Sequence, residues 1–285
     1  MSVITPKIFD LISSAEKGDA AAQFRLARLY EKGAEVRQDY VQAIKWYKIA
    51  ANSGDRQAQC NLAYIYLNGH EGDKNYQEAW LWFRRASDLG DAKAMYNLGW
   101  MAQNGLGQQK DIHLAIRLYL KSLEKKVYQS AYALGDIYLE GIDVVPDYSQ
   151  ALSFMWTASV EGNLAEAKYA IGNIYFDGRG VPKDRGEALC WYTRAASQGH
   201  PGALYNLGTF YYFGECVAQN YLAAAEMFLQ AAKQDHIAAK YYVAICYNEG
   251  LGLVQNGIEA MPWLQEAANQ GCEEAQQVIG CGVWR

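Results

Sequence analysis

Apolar and small residues recur along the chain at the spacing of one helix face, in segments that glycine interrupts. Ile171, Gly172 and Tyr175 illustrate the pattern, and Leu134 and Gly135 repeat it one segment earlier. Residues three and four positions apart share one face of an α-helix. The pattern therefore predicts a chain of amphipathic helices.

The glycines return with a fixed period. The step is 36 residues, as from Gly33 to Gly69, with one step of 37 from Gly141 to Gly178. Internal repeats of this length are the signature of stacked helical hairpins. One series comprises Gly33, Gly69, Gly105, Gly141, Gly178, Gly214 and Gly250. A second series in the same phase comprises Gly54, Gly90, Lys126, Gly162, Gly199, Asp235 and Gly271.

Each repeat carries start and stop signals for two helices. Glycine accepts the left-handed conformation that ends a helix, so the first series marks the ends of the first helices. Aspartate or asparagine side chains cap the starts of helices. They precede every predicted second helix, as Asp39, Asn75, Asp111, Asp147, Asp184, Asn220 and Asn256. We expect looser turns where Lys126 and Asp235 replace glycine, and a kink or a late start around Pro262.

Small residues mark the places where helices should cross closely. Glycine in a helix interior costs about 1 kcal/mol relative to alanine, which suggests that a neighbouring helix leaves no room for more. The small position of the first helix is Ala27, Ala63, Gly99, Gly135, Gly172, Gly208 and Ala244. A bulky position in the second helix is expected to fill the space between hairpins, as Trp46, Trp82, Leu118, Phe154, Trp191, Met227 and Trp263.

The repeats predict one continuous all-α solenoid domain of seven helical hairpins. Residues 1–18 form an N-terminal capping helix and residues 272–285 a C-terminal one, each a half-repeat. The repeats between them span 19–54, 55–90, 91–126, 127–162, 163–199, 200–235 and 236–271.

One unit shows what this pattern resembles. It reads AEAKYAIGNIYFDGRGVPKD over residues 165–184 and EALCWYTRAASQG over residues 187–199. This unit closely resembles the Sel-one-like repeats of the tetratricopeptide-like superfamily. The resemblance implies a right-handed α/α superhelix whose first helices line a concave face. It also implies the work of a protein–protein interaction scaffold or adaptor.

The concave face would carry the partner-binding residues. By similarity to tetratricopeptide grooves, these lie two, five and six positions after the apolar residue of each first helix. Unlike the uniform core positions, they vary from repeat to repeat, which favours recognition over scaffolding. The candidate residues are Tyr64, Leu67, Asn68, Trp100, Gln103, Asn104, Asp136, Leu139, Asn173, Phe176, Thr209, Tyr212, Phe213 and Ile245.

The composition indicates which class of partner and which cellular compartment to expect. The formal net charge is −5, and no basic stripe suited to phosphate backbones is evident, so we expect a protein or peptide partner and no nucleic acid. No apolar run approaches the roughly 18 residues of a membrane span, and no secretory signal is visible. We therefore expect a cytoplasmic monomer without membrane insertion. A removed leader would instead indicate a periplasmic or secreted protein, and an end-to-end dimer is the alternative assembly.

The sequence predicts neither an enzyme nor a cofactor. His200, His236 and Cys272 occupy equivalent repeat positions, but adjacent helices pack about 10 Å apart. Zinc ligands must lie about 2.0–2.3 Å from one ion, so we expect no metal site and assign the histidines to helix starts. Two alternatives to the scaffold remain. One is an immunity or inhibitor protein that neutralises a toxin or effector, and the other a small-molecule-binding protein or weak hydrolase.

Overall fold

The computed structural model describes residues 6–70, 73–141 and 143–282. Within these ranges it contains sixteen α-helices and no strand, so the all-α prediction is confirmed. The helices are α1 Pro6–Glu16, α2 Ala20–Lys32, α3 Tyr40–Asn52, α4 Arg56–Asn68, α5 Tyr76–Asp88, α6 Ala92–Asn104, α7 Ile112–Glu124, α8 Gln129–Glu140, α9 Tyr148–Val160, α10 Ala165–Asp177, α11 Arg185–Ala196, α12 Pro201–Phe213, α13 Tyr221–Ala232, α14 Ile237–Glu249, α15 Gly257–Asn269 and α16 Glu273–Cys281. Residues 1–5 and 283–285 of the predicted capping segments lie outside the described residues.

The first helices α2, α4, α6, α10, α12 and α14 each pack against the second helix that follows, which makes successive hairpins. In the remaining hairpin, Tyr138 of α8 stacks on Phe154 of α9 with the ring centroids 6.0 Å apart. The expected caps explain where the helices begin and end. All seven predicted Asp and Asn residues accept a backbone N–H at the start of a second helix, as Asp184 does from Glu187 at 2.9 Å. The seven glycines that follow the first helices adopt φ between 66° and 76°, the left-handed region.

Close approach of the two helices of a hairpin accounts for the glycines inside first helices. A Cβ atom added at Gly172 would lie 2.6 Å from Cε1 of Tyr192, and one at Gly208 would lie 2.7 Å from Cε1 of Phe228. In every repeat, the side chain that fills this crossing comes one residue after the bulky position named from the sequence. These residues are almost completely buried: Tyr47, Phe83, Tyr119, Met155, Tyr192, Phe228 and Leu264.

Two local expectations are wrong, namely the looser turns at Lys126 and Asp235 and the late start of the seventh second helix. Lys126 and Asp235 adopt φ of 64° and 62°, and the Asp235 N–H bonds to the Ala232 carbonyl at 3.0 Å, as Gly199 N–H does to Ala196 at 2.8 Å. These turns therefore keep the glycine-type geometry. Helix α15 begins at Gly257 and continues through Pro262, so the late start does not occur.

The contacts divide the chain into two compact units. Unit 1 contains the described residues of Met1–Leu134 and Ile142–Val144, and unit 2 those of Gly135–Gly141 and Val145–Arg285. Within unit 1, Asn97 of α6 donates to the Tyr64 hydroxyl of α4 at 2.6 Å, so the first helices adjoin. Within unit 2, the rings of Phe176 in α10 and Phe210 in α12 meet edge-on with their centroids 6.2 Å apart, so the first helices adjoin there too. Each unit thus has its own first-helix face, formed by its even-numbered helices.

Candidate partner-binding face

All of the candidate residues named from the sequence lie on first helices, and none is fully buried. Four are exposed, namely Asn68, Trp100, Asn104 and Phe213. The half-buried ones are Tyr64, Leu67, Gln103, Asp136, Leu139, Asn173, Phe176, Thr209, Tyr212 and Ile245. Their role in binding remains a prediction, and their contacts distinguish those that also hold the fold together.

Two of the polar candidates anchor buried tyrosines. The Tyr119 hydroxyl donates to Oε1 of Gln103 at 2.8 Å, and the Tyr192 hydroxyl donates to Oδ1 of Asn173 at 2.8 Å. Burial raises the pKa of Tyr192 well above its usual value, so this hydroxyl stays protonated and remains a donor. Gln103 and Asn173 therefore satisfy buried polar groups at the base of the face.

The hydroxyl of Tyr64 is likewise held, by the side-chain amide of Asn97, and its ring meets Phe83 edge-on at 5.1 Å between centroids. Asn97 occupies the repeat position just before the apolar residue. At that position in the previous repeat, Asn61 donates to the Tyr47 hydroxyl at 3.0 Å. The candidate set missed this position, although asparagine recurs there and could have indicated it.

In unit 2, Phe176 lies between rings and cations. Its centroid is 6.4 Å from that of Tyr192 and 6.2 Å from that of Phe210. The Lys183 ammonium and the Arg185 guanidinium lie 5.5 Å and 5.2 Å from its ring centroid. Such contacts stabilise the ring where it is, so Phe176 has a packing role in addition to any part in binding.

Tyr212 is the centre of an aromatic group in unit 2. Its ring centroid lies 4.9 Å from Phe213, 5.3 Å from Tyr221 and 5.5 Å from Tyr242. Tyr242 also stacks on Phe228 at 4.8 Å, and the sequence analysis did not select it. Phe213 is the exposed edge of the group.

Asp136 is a half-buried carboxyl on this face. Burial, with a smaller contribution from the nearby Glu140 carboxylate, raises its pKa above the ordinary value. A shift in this direction makes the carboxyl of Asp136 easier to protonate than an ordinary aspartate.

The two repeat-equivalent histidines cap helices, as predicted. Nδ1 of His200 accepts the Ala203 N–H at 3.2 Å, and Nδ1 of His236 accepts that of Ala239 at 3.2 Å. Their rings stack on Tyr169 and Tyr205. In the part of the chain that the structure describes, no group of three or more His, Cys, Asp or Glu side chains is arranged to hold a metal ion.

No helix among the described residues is both long enough and apolar enough to cross a membrane.

The sequence matches one family model over most of its length. The Sel1 repeat model matches residues 20–55, 56–91, 92–126, 129–155, 165–200, 201–236 and 237–272. Among curated proteins, the comparison finds no match to the chain.

Solved structures with the same fold include a Sel1 repeat protein from Oxalobacter formigenes, with 29% identity and a TM-score of 0.83 over 96% of this chain and 80% of that one. A protective antigen present in uropathogenic Escherichia coli strains, with an SLR fold, shares 29% identity and a TM-score of 0.82 over 94% of this chain. This chain spans 57% of the length of that antigen. An immunity protein from Pseudomonas aeruginosa aligns with 21% identity and a TM-score of 0.50 over 76% of this chain and 83% of that one, a likeness of fold alone.

Proposed function

Because the chain belongs to the Sel1 repeat family, we propose that it is a non-catalytic scaffold that binds a protein or peptide along its first-helix faces. The observation that carries the proposal is the exposure of large aromatic side chains there. Trp100 is 39% exposed and Phe213 is 57% exposed. Tryptophan and tyrosine dominate the energetics of interfaces, and exposed apolar groups favour burial by a partner.

The variety of residues at these positions supports the same proposal. Two positions after the apolar residue, successive repeats carry Tyr64, Trp100, Asp136, Asn173 and Thr209. The small residue beneath them is always glycine or alanine. A repeat that conserves its packing but varies its surface can present a different group to each part of an extended ligand.

Removal of the exposed aromatic groups tests the proposal. We expect the double variant Trp100→Ala/Phe213→Ala to lose a protein that the wild-type chain captures from native lysate. The matched control is Leu81→Ala/Leu222→Ala, on second helices α5 and α13, where the side chains are 39% and 58% exposed. Quantitative mass spectrometry measures the captured proteins, and circular dichroism confirms that both variants are folded.

Retention of every captured protein by the Trp100→Ala/Phe213→Ala variant, or equal loss by the control, would contradict the proposal. The activity of the captured partner, measured while it is bound and after its release, separates a scaffold from a toxin inhibitor. A scaffold is expected to release its partner with that partner's own activity unchanged. An inhibitor instead blocks the activity of one stoichiometric partner.

A further inference from the structure

Unit 1 has an open pocket of about 800 Å³ on its first-helix face. Residues of α2, α4 and the start of α6 line it, together with the turn after α7. Five exposed cationic side chains reach this one pocket, in a chain whose net charge is −5. They are Arg28, Lys32, Lys93, Lys125 and Lys126.

The five cations outnumber the two carboxylates that line the pocket, and both carboxylates have hydrogen-bond partners of their own. Glu31 accepts the hydrogen bond of the Tyr47 hydroxyl at 2.5 Å. Asp91 caps α6 by accepting the Ala94 N–H at 2.9 Å, and it also pairs with Arg56 at 3.6 Å. None of the five cations forms an ion pair among the residues that the structure describes. The lining therefore keeps a net positive charge with which an anionic ligand can pair.

We propose that this pocket binds an acidic segment of a partner protein, a run that contains aspartate or glutamate. The proposal rests on the proposed function, because it names the chemistry of the partner for the first-helix face of unit 1. The lining also offers the side-chain amides of Gln57 and Asn61. Asn61 uses its NH₂ group on Tyr47, and its carbonyl oxygen can accept a backbone N–H of an extended peptide.

The aromatic lining favours a peptide over a single-stranded nucleic acid. Bases bind such grooves by stacking on free aromatic faces. The two rings here have neighbours: Phe24 lies under the Arg28 guanidinium at 5.8 Å, and the Tyr64 ring meets Phe83 at 5.1 Å. The net charge of −5 also repels a long polyanion. A short acidic segment, in contrast, lies close to the cations of the pocket and is attracted by their positive potential.

The test is fluorescence anisotropy of the full chain with a fluorescein-labelled peptide rich in glutamate, beside its glutamine counterpart. The pocket variant is Lys32→Glu/Lys93→Glu/Lys125→Glu. The control Arg84→Glu/Arg117→Glu/Lys121→Glu makes the same change in net charge with exposed residues of second helices α5 and α7. Circular dichroism checks the fold of both variants, and the neutral version Lys32→Gln/Lys93→Gln/Lys125→Gln supplies a second, milder test of the pocket.

We expect the wild type and the control to bind the glutamate peptide, and the pocket variant to bind it at least about tenfold more weakly. The glutamine peptide should not bind, and the affinity should fall as salt rises to about 150 mM. Equal weakening in pocket variant and control, or no binding to the wild type, would overturn the proposal. Tighter binding of a single-stranded DNA oligonucleotide would also overturn it. Because this assay leaves Trp100 and Phe213 unchanged, it can fail while the capture experiment on those residues succeeds.

Discussion

At the scale of single residues, the most constrained positions are the glycines beneath buried rings. Gly172 faces Tyr192, which is almost completely buried and donates to Asn173 at 2.8 Å. A ring held by both packing and a hydrogen bond has little freedom to move away. Three repeats tolerate alanine at the equivalent position, as Ala27, Ala63 and Ala244, and none carries a larger residue.

Substitution Gly172→Val should therefore destabilise the fold by about 1–3 kcal/mol, because the branched side chain overlaps the Tyr192 ring. The control Gly257→Val is placed where an added Cβ meets nothing within 4 Å. It should change stability by less than about 1 kcal/mol. Urea unfolding followed by circular dichroism measures both. Equal midpoints for the two variants would contradict the account of the close crossing.

The sequence predicted the close crossing of the two helices but not the side chain that fills it. The spacing of Gly99, Gly135, Gly172 and Gly208 identified the crossing, because a small residue at a repeated position has one common physical cause. It did not identify the partner ring, since two adjacent bulky residues, such as Trp191 and Tyr192, compete for the role in sequence. Both side chains are buried, and only the placement of the second helix against the first shows that Tyr192 is the one that faces Gly172.

At the scale of helices, the caps determine where each element begins. The seven second helices rely on Asp or Asn, while the first helices α12 and α14 use His200 and His236. A histidine can cap through Nδ1 only when that nitrogen carries no proton. These two helices are therefore the ones whose starts should respond to pH.

Burial lowers the folded-state pKa of both histidines below their ordinary value of 6.5. For His200 the Glu166 carboxylate opposes this shift, and for His236 the neighbouring His200 adds to it. The unfolded chain thus binds these protons more readily than the folded chain does. Their contribution to stability is complete above about pH 6.5 and is lost as the pH falls through the lowered folded-state pKa.

We expect the thermal midpoint of the wild type to fall more between about pH 7.5 and pH 5 than that of His200→Asn/His236→Asn. Asparagine caps a helix equally well and does not titrate over this range. The carboxyl groups common to both proteins contribute equally, so the difference between the two midpoint shifts isolates the histidines. Identical shifts would contradict a neutral-histidine cap.

At the scale of the whole chain, the 36-residue period was enough to predict the helices and their caps, because each repeat carries the same capping and packing signals. The Sel1 repeat family was predicted from the resemblance of the unit at residues 165–199, and the family match confirms it. The candidate face was only partly predictable. Its side of the hairpin was predicted from the similarity to tetratricopeptide grooves, and the structure leaves Trp100 and Phe213 exposed on first helices. The charge surplus of the unit 1 pocket was not predicted, since it depends on the fold bringing cations of α2, α6 and the turn after α7 to one pocket.

The most direct test of partner binding on the first-helix faces is hydrogen–deuterium exchange, followed by mass spectrometry, on the chain alone and with a partner recovered by capture. The account predicts slower exchange in the first helices α4, α6, α10 and α12 when the partner is bound. It predicts unchanged exchange in the second helices α5, α7, α11 and α13, which pack against them. Protection confined to those second helices would contradict the central claim.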